Sequence, residues 1–579
     1  MKPPIQLKSC PKRYTKDLDK ADDPAQTVQR VKNILETNSG QILLELKRVD
    51  VGRLGIPVYM SMAGAEASKV LSARKQMGKG ASPDQAKASA LMELVERYSF
   101  FSFFQDDSNF VHLTYSEATA KFGQQVISLE EIFASVHETG LDPKQALTIL
   151  DLVRWKFAPT LELASEQTRY IPCNWFKLLN EYNGSAAGNS LEEAILQGGC
   201  ELVERHVCAE IAHSQPVLPS IDPKSFTDPT LIDLYKKFES NGIKLWLKDF
   251  SLGFPVPTVG VLAYDPKTFP EKSEIVFTAG TSTSPQKAAI RALTEVAQLA
   301  GDFITNSCYE PSGLPKYKNL DEIKWIMQGR PKSILDLPNL AEQDFYLELK
   351  ALAKQLQAQG FNWYSLNLTH SDLKIPVVYN VIAGLKFWER SKALNLGMVV
   401  GRIIAEQEEP NLAKDKLKTI AQFYPNAQFV PFFYGLLALR NNELERAQTW
   451  FEQASKMDAF APEKALSLFY LAYVLSLLEK WTKIPEILDE AIGLAEVKEY
   501  FNLQGVAWFK LGKYEQALVC FEKALNLDKG SAVDLANVGI CYLRLGNEQK
   551  GILALEQALE LDPGLDFARA ELEKILAKF

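Results

Sequence analysis

The last quarter of the chain repeats a pattern of small and aromatic residues at a fixed interval. Two copies align without a gap, and the matched residues differ by 34 in number: Gly505 with Gly539, Gly512 with Gly546, Ala517 with Gly551, Phe521 with Leu555, and Ala524 with Ala558. Fainter copies precede them. A period of this length is typical of paired helices that stack on their neighbours, with small residues where the helices cross. The region therefore predicts an all-α repeat domain.

These repeats resemble tetratricopeptide (TPR) repeats over about 428–565, and "LDPG" at 561–564 supplies the turn proline. The closing "DFARAELEKILAKF" predicts a capping helix. We expect TPR repeats with their cap at 428–579 and a connecting helix or linker at 405–427. Such an array would bind a protein substrate or partner, or a second copy of the chain as a homodimer. A structural support for the rest of the chain is an equal alternative.

Residues 1–404 predict one α+β domain ahead of the repeats. Proline is tolerated at the first residue of a strand, and β-branched and aromatic residues favour strands. Three segments enter predicted strands in this way: "GIPVYMSMA" from Gly55, "GFPVPTVGVLAY" from Gly253 and "KIPVVYNVIAG" from Lys374. Further strands are predicted at "QILLELKRV", "RYIPCNWFKL" and "SEIVFTAG".

Composition excludes several classes of protein. The 64 basic and 72 acidic side chains give a net charge of −8, which offers no basic face for nucleic acid. No apolar run reaches the ~18 residues of a membrane helix, and the N-terminus lacks the apolar core of a signal peptide. The seven cysteines are scattered without a CxxC pair, which argues against structural zinc. We expect a cytoplasmic protein that binds neither nucleic acid nor membrane.

A second repeat lies inside the α+β region, where one helix motif is used three times. "ELVER" occurs at 93–97 and again at 201–205, and the flanking residues also align at an offset of 108. A third copy, "TSPQKAAIRALTEVAQ", follows at an offset of 202 from the first. A loop of small residues precedes each copy, and Ser82, Ser190 and Ser284 are placed to cap the following helices. Gln85 and Glu193 suggest capping boxes.

The helix motif carries five glutamates. Glu93, Glu201 and Glu295 lie 11 residues beyond their caps, about three helical turns, and so share a side with their own loops. Glu96 and Glu204 lie one turn further on the same face. In isolation, a Glu and an Arg four residues apart are a surface pair worth ~0.2–0.5 kcal/mol. The recurrence, the apolar flanks and the glycine-serine loops instead favour Mg²⁺ bridged to a nucleoside triphosphate.

Other nucleotide and metal motifs are absent from the sequence. "GKGAS" lacks the spacing of a P-loop, and no Rossmann glycine fingerprint follows a strand. A di-iron carboxylate site is disfavoured because its ExxH pairs are missing. A lone histidine such as His206 or His213 on a helix is more often packed than catalytic, and Cys208 is better explained as a small buried residue than as a sulfur carrier.

In this order and at this spacing, the three motifs resemble the YcaO family over about 1–400, in particular YcaO proteins that end in TPR repeats. The resemblance implies an ATP- and Mg²⁺-dependent enzyme that phosphorylates the carbonyl oxygen of a peptide backbone amide for attack by a nucleophile. It implies five metal ligands: Glu93, Glu96, Glu201, Glu204 and Glu295. Arg205 and Arg291 would contact phosphates, and Lys20, Thr27 and Asn189 would hold the nucleotide. The most direct catalytic roles would fall to Glu201, Glu204 and Arg205.

The nucleophile and the partner stay open. Azoline-forming relatives commonly end in a PxPxP tail, whereas this chain ends "ELEKILAKF", so azoline formation is not expected. Two alternatives remain: thioamide formation with a TfuA-type or other sulfur-delivery partner, and an accessory role in the methylthiolation of a ribosomal protein. The competing class is a non-catalytic TPR scaffold whose YcaO-like domain binds ATP without turnover. ATP hydrolysis that depends on the glutamates would separate the two.

Overall fold

The computed structural model describes residues 5–37, 42–305, 309, 313–388, 390, 394–528 and 530–577. The strands are β1 Leu43–Arg48, β2 Val58–Ala63, β3 Lys75–Lys79, β4 Val111–Leu113, β5 Trp155–Glu162, β6 Gln167–Pro172, β7 Ser185–Ala187, β8 Ser220–Ile221, β9 Lys244–Asp249, β10 Thr258–Tyr264, β11 Val276–Thr281, β12 Pro331–Lys332, β13 Trp363–Asn367 and β14 Val377–Ile382.

The first helices along the chain are α1 Pro24–Thr37, α2 Ala65–Ser68, α3 Pro83–Gln105, α4 Tyr115–Phe122, α5 Leu129–Val136, α6 Pro143–Leu150, α7 Cys173–Asn180, α8 Leu191–Ser214, α9 Pro229–Ser240, α10 Pro285–Ala300, α11 Lys324–Met327 and α12 Phe345–Ala358. They are followed by α13 Leu396–Gln407, α14 Pro410–Phe423, α15 Phe429–Arg440, α16 Leu444–Lys456, α17 Ala461–Leu477, α18 Ile484–Leu494, α19 Lys498–Lys510, α20 Tyr514–Leu527, α21 Ala532–Arg544, α22 Glu548–Leu561 and α23 Asp566–Leu576.

The described residues form two compact units, one within 1–139 and 154–390 and the other within 140–153 and 391–579. The first unit contains three sheets with strand orders β1-β2-β3, β11-β10-β9-β8-β12 and β4-β5-β13-β14-β7, and β6 pairs with β5. Neighbouring strands are antiparallel apart from β8 and β12. The predicted α+β class is confirmed. Strands β2, β10 and β14 each begin at the residue after a proline, as the sequence predicts.

One predicted strand is wrong in its second half. In "RYIPCNWFKL", strand β6 ends at Pro172 and helix α7 begins at Cys173. Proline lacks the N–H that a strand donates to its neighbour, so the ladder stops there. Trp175, Phe176 and Leu179 are buried at helical rather than alternating spacing. The run of apolar residues therefore continues as a helix.

Each of the three motif helices follows a strand, and strand and helix approach closely. A Cβ on Gly78 in β3 would lie 2.1 Å from the backbone N of Ala90 in α3, and a Cβ on Gly280 in β11 would lie 2.4 Å from the backbone N of Ala292 in α10. In the third pair the small residue is on the helix, since a Cβ on Gly198 in α8 would lie 3.3 Å from a β7 side chain. These strand–helix pairs hold the helices at fixed positions.

The predicted caps are realised in two of the three helices. The hydroxyl of Ser82 accepts a hydrogen bond from the N–H of Gln85 (3.3 Å), and that of Ser190 from the N–H of Glu193 (3.1 Å). Ser284 makes no side-chain cap bond to any described residue, and its ψ is 132° rather than the 156° and 167° of the other two caps. Among the described residues, neither helix has the reciprocal bond of a capping box. The side-chain oxygen of Gln85 finds no partner, and Glu193 accepts from the N–H of Ala21 instead.

The second unit is all α-helical, as predicted. Pairs α15–α16, α17–α18, α19–α20 and α21–α22 precede α23. Within a pair, glycine lets the helices approach: a Cβ on Gly435 would lie 2.7 Å from the ring of Phe451, and a Cβ on Gly505 would lie 2.7 Å from the ring of Phe521. Residues 394–404, which the sequence grouped with the first domain, lie in this unit because α13 packs against α14 and α15.

Among the described helices, none combines the length and the apolar character that a membrane crossing requires.

Candidate functional site

The three motif helices bring their glutamates together around Lys79, the last residue of β3. The ammonium group of Lys79 forms an ion pair with Glu295 on α10. Its charge also acts on Glu93 of α3 and Glu204 of α8, and Glu93 in turn senses the charge of Glu201 on α8. Carboxylates that are about 100–200 residues apart in the sequence therefore share one electrostatic environment.

Glu96 contacts one residue of its own helix and one residue of strand β7. Its Oε1 lies 2.9 Å from Nη1 of Arg97 and accepts a hydrogen bond of 2.5 Å from the hydroxyl of Ser185 in β7. Arg97 also lies 3.8 Å from Glu93, and its guanidinium stacks 3.7 Å from the centre of the Tyr182 ring. Arg97 is predicted from the sequence only as a surface partner of Glu93, but it is a half-buried part of the cluster.

Burial makes these carboxylates hard to ionise. The pKa of Glu96 is raised to about 8, chiefly by burial and in part by the negative charge of Glu201, although the positive charge of Arg97 opposes the shift. Burial also raises the pKa values of Glu93 and Glu204, against the lowering effects of nearby arginines and Lys79. Among the described residues, Glu204 Oε2 is buried and finds no hydrogen-bond partner. The cluster thus has carboxylate oxygens that an added cation would stabilise.

Two arginines predicted to contact phosphate lie beside these carboxylates. Arg205 is 3.6 Å from Glu201, one turn earlier on α8. The charge of Arg291 on α10 lowers the pKa of Glu204. Burial lowers the pKa of Lys79 to about 8, and the positive charges of Arg291 and Arg205 also lower it. Positively charged side chains therefore lie next to the carboxylates, as expected where a metal and an anion bind side by side.

The predicted nucleotide-binding residues Lys20, Thr27 and Asn189 lie together. The Thr27 hydroxyl donates to Oδ1 of Asn189 (2.9 Å), and Arg30 donates to the same oxygen (2.6 Å). The amide of Asn189 donates to Glu193 (3.2 Å), and Lys20 pairs with Glu193 at 3.4 Å. From the sequence, Glu193 is predicted only as a cap residue, and Arg30 is not predicted as a site residue. The Arg30–Asn189 and Lys20–Glu193 contacts each join residues more than 150 positions apart.

Glu193 also ties the N-terminal segment to the start of α8. One of its carboxylate oxygens accepts a hydrogen bond from the N–H of Ala21 (2.9 Å). A cavity of about 50 Å³ beneath this segment is lined by Lys20 and Glu193 on one side and by Arg291, Thr283 and Glu348 on the other. Lys20 and Arg291, both predicted to contact the nucleotide, thus line one cavity.

The histidines and Cys208 of α8 take no part in the cluster. His206 accepts a hydrogen bond from the N–H of Lys386 (2.9 Å), and burial lowers its pKa to about 4. A ring nitrogen of His213 lies 2.6 Å from the carbonyl oxygen of Ala209. Cys208 is a buried free thiol. Cys308 lies outside the described residues.

The chemistry of the cluster fits Mg²⁺. Within the part of the chain that the structure describes, no three His, Cys, Asp or Glu side chains are already arranged as a metal cluster, and Lys79, Arg97 and Arg205 lie against the glutamates. Carboxylates are nevertheless the ligands that this hard cation prefers, together with phosphate oxygens and water. The partnerless Glu204 oxygen supports the same assignment. The residues that would hold Mg²⁺ are Glu93, Glu96, Glu201, Glu204 and Glu295.

Comparison with known proteins agrees with this chemistry. The profile of the YcaO family, described as a cyclodehydratase that binds ATP and Mg²⁺, matches residues 77–386, more than half of the chain. Two tetratricopeptide-repeat profiles match residues 499–531 and 535–565.

Individual relatives are more distant. An uncharacterized protein of Methanothermobacter thermautotrophicus is 24% identical over 392 residues, which cover 63% of this chain and 94% of the relative. The Escherichia coli protein named ribosomal protein S12 methylthiotransferase accessory factor YcaO is 23% identical over 453 residues, 67% of this chain and 75% of the relative. A solved heterocyclase in complex with substrate and cofactor shares the fold with a TM-score of 0.54 and 23% identity, over 66% of this chain and 55% of the heterocyclase. The chain belongs to the YcaO family, whose cofactors are ATP and Mg²⁺, and it carries TPR repeats after the YcaO domain.

Proposed function

We propose that this chain uses ATP and Mg²⁺ to phosphorylate the carbonyl oxygen of a peptide backbone amide, which prepares the amide for attack by a nucleophile. The observation that carries the proposal is the convergence of five glutamates from α3, α8 and α10, with Arg205 and Arg291 beside them. A carbonyl oxygen is a poor leaving group until it is phosphorylated. Catalysis then consists mainly of positioning and charge neutralisation.

Each group of residues has a role in this proposal. Bound ATP and Mg²⁺ supply the phosphoryl group and the positive charge that stabilises its transfer. Glu201 and Glu204 fix the metal together with Glu93, Glu96 and Glu295. Arg205 and Arg291 neutralise charge on the phosphates. Lys20, Thr27 and Asn189 hold the nucleotide, with Glu193 as the group that joins them.

We propose that the nucleophile is external, as in thioamide formation or in an accessory role for ribosomal-protein methylthiolation. The described cysteines are buried, and burial raises the pKa of Cys200, which lines the cavity, to about 12. A thiol with so little thiolate is a poor sulfur carrier. A separate sulfur-delivery protein, of the TfuA type or another, would then be required for thioamidation. The name of the Escherichia coli relative favours the accessory role.

The TPR repeats supply the second part of the proposal. Repeats of this type present extended surfaces built from successive helix pairs. We propose that they bind the protein substrate or a partner protein in the cytoplasm, while the YcaO domain carries the chemistry.

Oxygen-18 labelling tests the reaction itself. The purified chain is incubated with Mg²⁺, ATP and candidate peptides in water enriched in ¹⁸O, and the released phosphate is analysed by mass spectrometry. If the amide is activated, the fourth oxygen of phosphate comes from the peptide carbonyl, so phosphate carries no ¹⁸O. Simple hydrolysis would place solvent ¹⁸O in the phosphate and contradict the proposal. ATP binding without any phosphate release would favour the scaffold alternative.

A further inference from the structure

Lys79 lies beside three of the five glutamates, Glu93, Glu204 and Glu295, and the proposed function gives it no role. It ends β3, and its ammonium pairs with Glu295 of α10. Its charge reaches Glu93 of α3 and Glu204 of α8. The side chain of Lys79 is 25% exposed and that of Glu295 is 15% exposed, so the pair is largely withdrawn from water. One lysine thus contributes positive charge to glutamates of all three motif helices.

Lys79 differs from the neighbouring arginines in the partner of its ion pair. Arg97 pairs with Glu96 of its own helix, although it also donates a hydrogen bond to Ser185 of β7, and Arg205 lies beside Glu201 of its own helix. Lys79 on β3 instead pairs with Glu295 on α10. Its ammonium is a compact point charge on a flexible chain, which can move away without disturbing a fixed planar contact.

We propose that Lys79 is an internal substitute for the divalent cation: its ammonium holds Glu295 while the metal is absent and releases it when Mg²⁺ binds. The inference rests on the proposed function, because it takes the glutamates as the metal ligands. One positive charge reduces the repulsion among buried carboxylates. The double charge of Mg²⁺ attracts the same oxygens more strongly and displaces the ammonium.

This arrangement has a consequence for the order of binding. The carboxylates are kept in place before the metal arrives, but Mg²⁺ must compete with Lys79 for Glu295. The affinity for metal alone is therefore lower than the carboxylates would otherwise give. Phosphate oxygens of the nucleotide add further ligands and favour the metal-bound state. The site consequently fills with Mg²⁺ and nucleotide together.

The test compares Lys79→Met with the parent, with Lys79→Arg, and with Lys75→Met, which removes an exposed lysine from the same strand. Binding of Mn²⁺ without nucleotide is measured from the electron paramagnetic resonance signal of the free ion, and thermal stability is measured in EDTA. We expect Lys79→Met to bind Mn²⁺ about tenfold more tightly than the parent, which corresponds to a cost of about 1.4 kcal/mol for displacing the ion pair. Its Tm in EDTA should be lower than that of the parent. Lys75→Met should resemble the parent, and Lys79→Arg, which keeps the positive charge but lacks the compact ammonium, should show no gain in Mn²⁺ affinity.

Equal or weaker Mn²⁺ binding by folded Lys79→Met would overturn the inference. Loss of ATP affinity without a gain in Mn²⁺ affinity would do the same, since Lys79 would then be a phosphate ligand. If the parent binds neither Mn²⁺ nor ATP, the proposed function fails as well. If Lys79→Met does not fold, the double variant Lys79→Met, Glu295→Gln is tested in EDTA. The inference requires this double variant to regain thermal stability, and a double variant that stays unstable contradicts the inference.

Discussion

At the scale of single residues, Asn189 is the centre of the candidate nucleotide site. Its side-chain oxygen accepts hydrogen bonds from Thr27 and Arg30, and its amide donates to Glu193. An amide that both accepts and donates fixes the positions of three elements at once: α1, the loop before α8, and α8 itself. Its removal should therefore loosen the contact between α1 and the start of α8 and weaken nucleotide binding.

We expect Asn189→Ala to weaken binding of Mg²⁺-ATP about tenfold, which corresponds to the loss of one or two hydrogen bonds. Isothermal titration calorimetry measures the effect. Asn362→Ala is the matched control, because Asn362 bonds to Glu131, which lies outside the candidate site. Unchanged affinity in Asn189→Ala, or an equal loss in Asn362→Ala, would remove Asn189 from the site.

The glutamates of the site are predictable because their motif recurs at offsets of 108 and 202. Lys20, Thr27 and Asn189 do not recur and are predicted only through the resemblance to the YcaO family. Lys79, Ser185 and Glu193 are not predicted as site residues, because each has a partner on an element distant in the sequence. One signal was available for Lys79, since a charged residue that ends a strand just before a glycine-serine loop lies close to the N-terminus of the following helix.

At the scale of elements, the three motif helices are similar in sequence but are not equally capped. Ser82 bonds to the first turn of α3, whereas Ser284 makes no such bond to a described residue. Both helices pack closely against their strands, α3 at Gly78 and α10 at Gly280, so α10 keeps this packing without the cap bond. Cap sequence alone could not show this difference, because the bond depends on backbone angles that the flanking strand sets.

We expect Ser82→Ala to destabilise the start of α3 by about 1 kcal/mol, the usual value of a serine cap. Amide hydrogen exchange of the first turn of α3 should then be about fivefold faster. Ser284→Ala is the matched variant at the start of α10 and should leave exchange in its own first turn nearly unchanged. Similar effects of the two substitutions would show that the caps are equivalent.

At the scale of the whole molecule, the boundaries of the two compact units differ from the domain boundaries that the sequence predicts. Residues 140–153, which lie in the middle of the predicted α+β region, form part of the second unit as α6. An inserted helix that packs against distant helices leaves no mark in the periodicity of the sequence. The repeats were predictable from their period of 34 residues, and the α+β class from the prolines and the β-branched and aromatic residues of its strands.

None of the candidate site residues lies in 497–579. Because repeat proteins depend mainly on contacts between neighbouring repeats, a chain that ends at 496 should keep its remaining helices. We expect this shortened chain to bind Mg²⁺-ATP within about twofold of the parent, as for distant independent sites. Calorimetric titration of both chains provides the measurement. Loss of ATP binding from a shortened chain with native circular dichroism would show that the last repeats contribute to the site.

If glutamates of α3 and α8 form one metal–nucleotide site, ATP binding must depend on Mg²⁺ and on glutamates of both helices. We expect the parent to bind ATP only when Mg²⁺ is present. The double variant Glu93→Gln, Glu201→Gln should bind ATP about 100-fold more weakly or not at all, because each charged partner at a buried site is worth ~2 kcal/mol or more. Glu130→Gln with Glu239→Gln, two exposed glutamates of α5 and α9, is the control and should bind as the parent does. Equal binding by both double variants would contradict the account.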